Sequence, residues 1–378
     1  MPKGCCVFRK AYFDFLKNKT AENGPFWVLR QLAHYFLIKL SFLLGRPLCG
    51  PLIGTIIVTY KCNFRCRMCD FPSHEQPAAA ETTKEMSTQE MKQAIREFAL
   101  LGVSGIGFTG GEPLLRSDIF ELLKYTKEQG VITHLNTNGF LLDEDAASKI
   151  VKTGTDSVNI SLDGSKAEAH DAIRGIKDAF DKALNAVSCL DTARRRMPQA
   201  SRLRIKIVSV IGPENIGEIP GLIELSSRSN IDCIEFVPQQ RFSAACAAGY
   251  DEIFFIKLKA AVDFIRRAKK SGAKIENSWQ NIKLFEQAFQ DRKSPLTCYA
   301  GYNSCCLDCY GEVYPCLPWA NWNKPAGNVK SGGLKKIWYA QGYNKIRHSV
   351  SRCRDCYLNC HTELNYIFNP KFCITNLF

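Results

Sequence analysis

Three closely spaced cysteines, Cys62, Cys66 and Cys69, constrain this chain more than any other feature. Their spacing is C-x3-C-x2-C. Cysteine thiolates are the usual protein ligands of iron–sulfur clusters, and a cubane cluster contains four irons. Three cysteines bind three of those irons and leave the fourth open to a ligand that the protein does not supply. A zinc knuckle and scattered buried thiols are the alternatives that the run by itself leaves open.

Cysteine content and charge indicate the environment of the protein. The 378 residues include 18 cysteines and carry a formal net charge of +13. The first ten residues lack the apolar stretch of a signal peptide, so we expect a cytoplasmic protein rich in free thiols rather than a secreted disulfide protein. A basic balance favours anionic partners. Nucleic acid is not expected among them, because no separate RNA-binding module is recognisable.

The middle of the chain alternates between short apolar runs and amphipathic segments. The apolar runs span 54–60, 106–109, 132–136, 157–162, 203–211 and 233–237. Six β–α units predict a parallel sheet. Curved into an arc, this sheet gives an α/β fold, a partial (β/α)6 TIM-like barrel. Active sites of barrels lie in the loops after the strands.

A glycine-rich loop follows the second predicted strand in the segment TGGEPL. Gly110 and Gly111 lack a Cβ and let the backbone approach a ligand closely. Glu112 places a hydrogen-bond acceptor beside them, which suits an ammonium group. An ordinary loop turn is the alternative for such a string on its own.

Polar side chains follow the third and fourth predicted strands. Asn138 lies in NTNG and Ser161 in SLDG, and a serine hydroxyl can donate to a carboxylate or ribose oxygen. Arg174 lies further on, and a guanidinium can bind a carboxylate through two hydrogen bonds. Turn formation is the alternative for Asn138, and a surface ion pair is the alternative for Arg174.

These motifs together resemble the radical SAM superfamily, down to Met68 before the last cysteine of the run and the GGEP element. The resemblance implies a [4Fe–4S] cluster on Cys62, Cys66 and Cys69 whose open iron binds S-adenosylmethionine (SAM). It implies reductive cleavage of SAM, by an electron from an external low-potential donor, to a 5′-deoxyadenosyl radical that abstracts hydrogen from a substrate. The residues that it assigns to SAM binding are Gly110, Gly111, Glu112, Asn138, Ser161 and Arg174.

A second group of cysteines occupies the C-terminal part of the chain. Its spacing is C-x17-C, a gap, and C-x2-C-x3-C, formed by Cys298, Cys316, Cys353, Cys356 and Cys360. It resembles the auxiliary iron–sulfur module called SPASM in its long form and twitch in its short form. The resemblance implies an auxiliary [4Fe–4S] cluster, preferably on the first four cysteines, with Cys360 as a further metal-ligand candidate. Zinc suits four thiolates as well.

The remaining cysteines of this region have no role that the resemblance supplies. Cys305, Cys306 and Cys309 fall inside a predicted hairpin, where ligation, contact with substrate and simple strand packing are all open. The long SPASM pattern continues with C-x5-C-x3-C. Here Cys360 comes too early for it and only Cys373 follows, which leaves open whether there are one or two auxiliary clusters.

Four segments are expected along the chain. They are an N-terminal amphipathic or pre-barrel helical segment over 1–50, the barrel over 51–240, a helical connector over 241–295 and the small cysteine-rich auxiliary module over 296–378. The most apolar stretch is 26–44, which Arg30, His34 and Lys39 interrupt. Its large apolar residues share one helical face. That face indicates either peripheral contact with a membrane or packing beneath the barrel.

The sequence thus predicts a radical SAM enzyme, an oxidoreductase or a related radical enzyme, acting on a small molecule or a lipid-linked compound. A peptide-modifying SPASM maturase is the alternative, although the N-terminal segment is too short and too apolar for a peptide-recognition domain. An electron-transfer protein and a zinc-binding protein are alternatives of another class. The GGEP element disfavours simple electron transfer, because an electron carrier needs no amine-binding loop.

Overall fold

One continuous sheet of nine strands organises the protein. The computed structural model describes residues 24–69, 84–197, 202–240, 250–290, 292–320 and 325–369. The strands are β1 (Ile53–Ile57), β2 (Gly105–Thr109), β3 (Ile132–Thr137), β4 (Ser157–Ser161), β5 (Arg204–Ile211), β6 (Cys233–Pro238), β7 (Ser304–Leu307), β8 (Glu312–Tyr314) and β9 (Gly327–Asn328). Their order across the sheet is β6-β5-β4-β3-β2-β1-β7-β8-β9.

The helices lie before, between and after these strands. They are α1 (Pro25–Leu44), α2 (Thr88–Leu101), α3 (Ile119–Glu128), α4 (Glu144–Thr153), α5 (Ala167–Arg174), α6 (Ala179–Arg196), α7 (Ile219–Arg228), α8 (Glu252–Lys270), α9 (Trp279–Lys283), α10 (Phe285–Phe289), α11 (Leu317–Ala320), α12 (Leu334–Tyr339), α13 (Gln341–Ser351) and α14 (Asn359–Phe368). Among the described residues, none of these helices combines the length and the hydropathy that crossing a bilayer requires.

The first six strands form the expected partial barrel. All of them pair in parallel and in chain order. Among the described strands β6 has no neighbour on its outer side, so the sheet does not close. The segment 274–277 covers this edge instead, because the Ile234 amide donates to the Lys274 carbonyl and the Glu276 amide donates to the Ile234 carbonyl. The α/β partial-barrel prediction is confirmed.

Local sequence patterns at the start of α2 and along the strands have direct structural counterparts. Ser87 caps α2 in a complete capping box: its hydroxyl accepts from the Glu90 amide and the Glu90 carboxylate accepts from the Ser87 amide. Strand side chains alternate between two environments. Ile106, Phe108, Val158 and Ile160 are fully buried against the helices. The intervening residues face the barrel interior and keep partial exposure.

The cysteine-rich module continues the barrel sheet. Its first strand, β7, pairs in parallel with β1, and β8 returns antiparallel to β7. Two further contacts fasten it: Trp338 Nε1 donates to the Cys49 carbonyl at 2.8 Å, and the Glu97 carboxylate of α2 accepts from the Leu334 amide at the start of α12. The module is therefore held to the first βα unit of the barrel by backbone pairing and by side chains.

Replacing Phe98 with alanine tests how α2 is packed on β1. Phe98 is fully buried, and its ring lies against Gly54. Phe98→Ala should lower the free energy of unfolding by about 3–5 kcal/mol, since a cavity remains under the helix. Leu100→Ala on the same helix is the matched control, because Leu100 is 74% exposed. Equal thermal shifts for the two variants would contradict this packing.

Candidate functional site

The three N-terminal cysteines lie on a loop directly after β1, at the carboxyl end of the strands. All three thiols are half-buried. The loop is anchored by the fully buried ring of Phe64, which meets Phe140 edge-on at 5.6 Å. Its second half is tied to α5, because the Arg67 amide donates to the Ile173 carbonyl at 3.0 Å. Apolar packing and a backbone hydrogen bond thus hold the cysteines above the open end of the barrel.

The two glycines of the GGEP loop pack directly against the backbone that leads into the cysteine loop. The Gly111 amide donates to the Thr59 carbonyl at 2.9 Å, and the Glu112 amide donates to the Lys61 carbonyl at 2.8 Å. A Cβ on Gly110 would collide with the Thr59 carbonyl oxygen, and one on Gly111 with the Lys61 carbonyl oxygen. Glycine is therefore required at these two positions because the loop packs against the backbone of Thr59 and Lys61. Contact with a bound ligand is not needed to explain it.

Glu112 joins the GGEP loop to the loop after β3. Its carboxylate is fully buried and accepts from the Leu114 amide at 3.0 Å, the Thr137 hydroxyl at 2.7 Å and the Asn138 amide at 2.8 Å. Burial raises the pKa of Glu112, while the hydrogen bonds from Asn138, Leu114 and Thr137 oppose the rise. A carboxylate offers about four acceptor positions. Three are used, so one remains for an ammonium donor.

Asn138 connects the loop after β3 to the cysteine loop. Its Nδ2 donates to Asn63 Oδ1 at 2.8 Å, and its Oδ1 accepts from the Phe140 amide at 2.9 Å. The second contact is the local turn interaction that the sequence left open. The first was missed at the sequence level, where the only signal was the position of Asn63 next to Cys62.

Arg174 lies at the end of α5, between a buried carboxylate and the cysteine loop. Its Nη2 lies 2.6 Å from Asp163 Oδ2, and its Nη1 donates to Cys66 Sγ at 3.8 Å. Both side chains are buried, so this is an internal ion pair and not a surface one. Burial raises the pKa of Asp163, and the Arg174 guanidinium opposes that rise. Arg174 Nε is buried without a hydrogen-bond partner among the described residues.

Ser161 and His170 complete this end of the barrel. Ser161 ends β4 half-buried, and its hydroxyl makes no hydrogen bond to another described residue. His170 is buried in α5, where its Nδ1 accepts from the Asp163 amide at 3.0 Å. Burial lowers the pKa of His170 to about 3. His170 therefore positions Asp163 as a neutral acceptor and carries its proton on Nε2, which is buried without a partner among the described residues. Ser161, Arg174 and His170 are thus the groups at this end with unused donors.

Three cysteines of the C-terminal module line the same pocket. Cys298, Cys353 and Cys356 line one small pocket with Thr362 and Asn365. Burial raises the pKa of Cys316 well above its usual range, and Cys298, Cys306 and Cys353 raise it further. Cys316 thus lies within electrostatic reach of these thiols, but in the described part of the chain no three of them are placed as the ligands of one metal ion would be. The ligand set Cys298, Cys316, Cys353 and Cys356 stays a prediction.

The other cysteines of the module occupy different positions. Cys360 lies exposed in the first turn of α14 and is separated from Cys356 by three residues. Cys305 and Cys306 are buried in β7, and Cys309 is buried just after it. Cys373 and residues 1–23 lie outside the described residues.

Comparison with known proteins defines the family. The sequence profile of the radical SAM superfamily matches residues 56–226, and that of the SPASM iron–sulfur cluster-binding domain matches residues 298–357. The chain therefore belongs to the radical SAM superfamily and carries a C-terminal SPASM domain. Its cofactors are a [4Fe–4S] cluster and SAM, together with auxiliary iron–sulfur binding in the SPASM domain.

Curated relatives catalyse several different reactions. The chain is 28% identical to the AdoMet-dependent heme synthase of Methanosarcina barkeri, over 77% of this chain and 83% of that protein. It is 29% identical to the mycofactocin maturase MftC of Mycolicibacterium smegmatis, over 82% of this chain and 76% of that protein. It is 34% identical to the Fe-coproporphyrin III synthase of M. barkeri, but this match spans only 47% of this chain and 42% of that protein.

The structural comparison agrees on the fold. SuiB of Streptococcus suis, bound to its precursor peptide SuiA, superposes with a TM-score of 0.64 at 17% identity, over 86% of this chain and 72% of SuiB. The residues at the barrel end fit the cofactors of the family. Three thiols on one loop could supply the cluster ligands, and Glu112 could accept a further hydrogen bond from an amine. The Ser161 hydroxyl and Arg174 Nε, which have no partner among the described residues, could donate to a carboxylate.

The buried ion pair is open to a test of stability. Asp163→Asn keeps the shape of the side chain but leaves the Arg174 guanidinium without its counter-charge, which should cost about 3 kcal/mol or more. Asp145→Asn is the matched control, since Asp145 pairs with Lys149 on the exposed surface of α4 and should cost less than about 1 kcal/mol. If the melting temperatures of the two variants differ by no more than replicate scans do, the conclusion that Asp163 and Arg174 form an internal ion pair is wrong.

Iron analysis tests the proposed auxiliary ligands. One cluster at each cysteine site gives about eight irons per chain, and Cys316→Ala should reduce this to about four. Cys189→Ala, which alters a buried cysteine in α6, is the control and should retain about eight irons. Cys360→Ala should retain them as well. If Cys360→Ala loses iron and Cys316→Ala retains all of it, the preferred ligand set is wrong and Cys360 takes the place of Cys316.

Proposed function

We propose that the protein is an enzyme that oxidises or rearranges a polar small molecule bound inside the barrel. The cofactors would supply an electron for the cleavage of SAM and a 5′-deoxyadenosyl radical that abstracts hydrogen. The observation that supports a polar substrate is a row of polar side chains on the inner face of β3 to β6. The roles below are those of this chain's own residues.

The inner wall of the barrel presents hydrogen-bond acceptors that the protein leaves unused. Asn136 Nδ2 donates to the Phe108 carbonyl at 3.3 Å, and Asn159 Nδ2 donates to Asn136 Oδ1 at 2.8 Å. This chain of bonds fixes both amide orientations. Asn159 Oδ1 is left buried, without a partner among the described residues. A buried acceptor without a donor is costly, so a substrate hydroxyl or amine is its natural partner.

A second unused acceptor comes from the C-terminal module. Asn359 Nδ2 donates to Glu235 Oε1 at 2.9 Å and to the Phe236 carbonyl at 2.6 Å. Since both of these partners are acceptors, the amide orientation is determined. Asn359 Oδ1 is left buried without a partner in the described part of the chain. The first turn of α14 thus brings a polar group of the module to β6 of the barrel.

Two cations and two carboxylates pair beside the inner wall. Lys206 Nζ lies 3.5 Å from Glu235 and 3.7 Å from Glu276, and Arg204 lies 3.0 Å from Glu276 as well. Burial works against the charged form of Lys206, but the two carboxylates outweigh it and raise the Lys206 pKa. Such a wall suits a substrate that offers several neutral donors, such as a sugar-like alcohol.

The candidate SAM residues and this inner wall are adjacent on β4. Ser161 follows Asn159 by two residues, so both side chains point to the same face about 7 Å apart. In the proposed function, Ser161 and Arg174 orient SAM through its carboxylate, and Asp163 holds Arg174 in place. Asn159 and Asn359 position the substrate nearby. The buried barrel interior excludes water from a reactive intermediate.

Two other substrate classes are candidates. A peptide is the second candidate, because mycofactocin maturase MftC is 29% identical over 82% of this chain. A lipid-linked compound is less favoured, because the apolar helix α1 packs at the amino ends of the strands, opposite the cysteine loop: Gln31 contacts Ser104, which precedes β2. An electron-transfer protein has no use for the acceptors described above.

Deuterium transfer into 5′-deoxyadenosine tests this proposal. When the reduced protein is incubated with SAM, deuterium from a labelled polyhydroxy compound should appear in 5′-deoxyadenosine. Deuterium from labelled peptides or porphyrins should not. Cys66→Ala is the blank and should form no 5′-deoxyadenosine. Asn159→Ala should raise the KM of the substrate at least about tenfold, since one buried hydrogen bond is lost, while substrate-free SAM cleavage stays unchanged. Transfer from a peptide alone would refute the small-molecule proposal.

A further inference from the structure

The outward side of α1 is an uninterrupted apolar surface, here called the apolar face. Phe36 is 65% exposed and Leu43 is 80% exposed, although both belong to an ordered helix. At 100° per residue, the exposed apolar side chains cover an arc of about 140°. They are Leu29, Leu32, Ala33, Phe36, Leu37, Leu40, Leu43 and Leu44. A contiguous patch of this kind indicates an interaction surface.

The opposite side of α1 fixes the helix on the protein. Ile38 is fully buried there, and Phe42 packs on Tyr299 with their ring centroids 4.2 Å apart. Tyr35 stacks on Phe368 at 5.0 Å. His34 Nε2 lies 2.8 Å from the Gly50 carbonyl. Because these contacts use one side of the helix completely, the helix cannot bury the apolar face by turning over.

Cations border the apolar face on both sides. On the helical wheel, Lys39 lies at one edge of the arc and Arg30 at the other, and Arg46 is exposed just after the helix. The helix contains no aspartate or glutamate. Apolar side chains flanked by basic ones are typical of helices that lie in the interface of an anionic bilayer. A protein partner would not require a cation at each border.

We propose that the apolar face docks the protein on the surface of an anionic phospholipid bilayer, with Arg30, Lys39 and Arg46 at the level of the headgroups. The face lies at the amino ends of β1 and β2, as the contacts to Gly50 and Ser104 require. β1 spans five residues, about 17 Å. The bilayer therefore lies on the far side of the barrel from the cysteine loop and leaves the catalytic end open to soluble substrates.

Vesicle flotation of the reconstituted full-length protein tests the proposal. The protein should float with vesicles of phosphatidylcholine and 30% phosphatidylglycerol, and should bind pure phosphatidylcholine at least about tenfold more weakly. Phe36→Glu combined with Leu43→Glu should lower the partition coefficient at least about tenfold. Leu100→Glu is the matched control, since Leu100 is an equally exposed leucine on α2. Arg30→Gln combined with Lys39→Gln should reduce the dependence on phosphatidylglycerol.

Several outcomes would overturn the proposal. Absence of flotation on anionic vesicles, or equal losses for the double variant and Leu100→Glu, would remove the membrane as the partner. Sedimentation that shows a dimer dissociated by the Phe36 and Leu43 changes, without vesicle binding, would assign the face to a second copy of this chain. The control for folding is the formation of 5′-deoxyadenosine. We expect the same amount from the double variant as from the parent protein.

Discussion

The site depends on a close approach between two stretches of backbone. The strand that leads into the cysteine loop and the GGEP loop exchange hydrogen bonds at Thr59 and Lys61, in a space that admits only glycine at positions 110 and 111. This pairing prolongs the β1–β2 ladder beyond the strands themselves. It also places Glu112 where it can bind the loop after β3, which in turn holds Asn63 through Asn138. The cysteine loop is therefore held by the sheet as well as by its own Phe64 and Asn63.

The second organising feature is the continuity of the sheet from the barrel into the SPASM domain. β7 pairs with β1, and α14, which follows the matched SPASM residues 298–357, returns to β6, so the C-terminal part of the chain contacts both edges of the open barrel. A radical intermediate needs an enclosed space, and an open barrel alone has a lateral gap. The C-terminal part of the chain contributes Asn359 at the β6 edge. It therefore both extends the barrel sheet at β1 and covers part of the opposite edge.

Much of the architecture could be predicted because the signals are local. The cysteine spacing and the alternation of apolar runs with amphipathic segments each lie within a few residues, and the first six strands fall within a few residues of their expected positions. The candidate site residues Gly110 and Glu112 were predicted from a motif at a strand end, and Arg174 from a position further on. Their partners were not, because the Thr59 carbonyl and Thr137 come from other βα units, and Asp163 lies eleven residues before Arg174. The unused acceptors of Asn159 and Asn359 could not be predicted from the sequence, because the residue type does not show whether a side chain is hydrogen-bonded.

The sequence by itself determined the class of protein, its cofactors and the order of its elements, because thiolate spacing and hydrophobic periodicity are properties of adjacent residues. Tertiary structure alone decided that Arg174 lies between Asp163 and Cys66, that the module extends the barrel sheet through β7, and that one side of α1 is buried while the other stays bare. The physical reason is that burial, pairing and charge compensation are decided between residues far apart in the chain. No local pattern specifies which distant group will supply the missing partner.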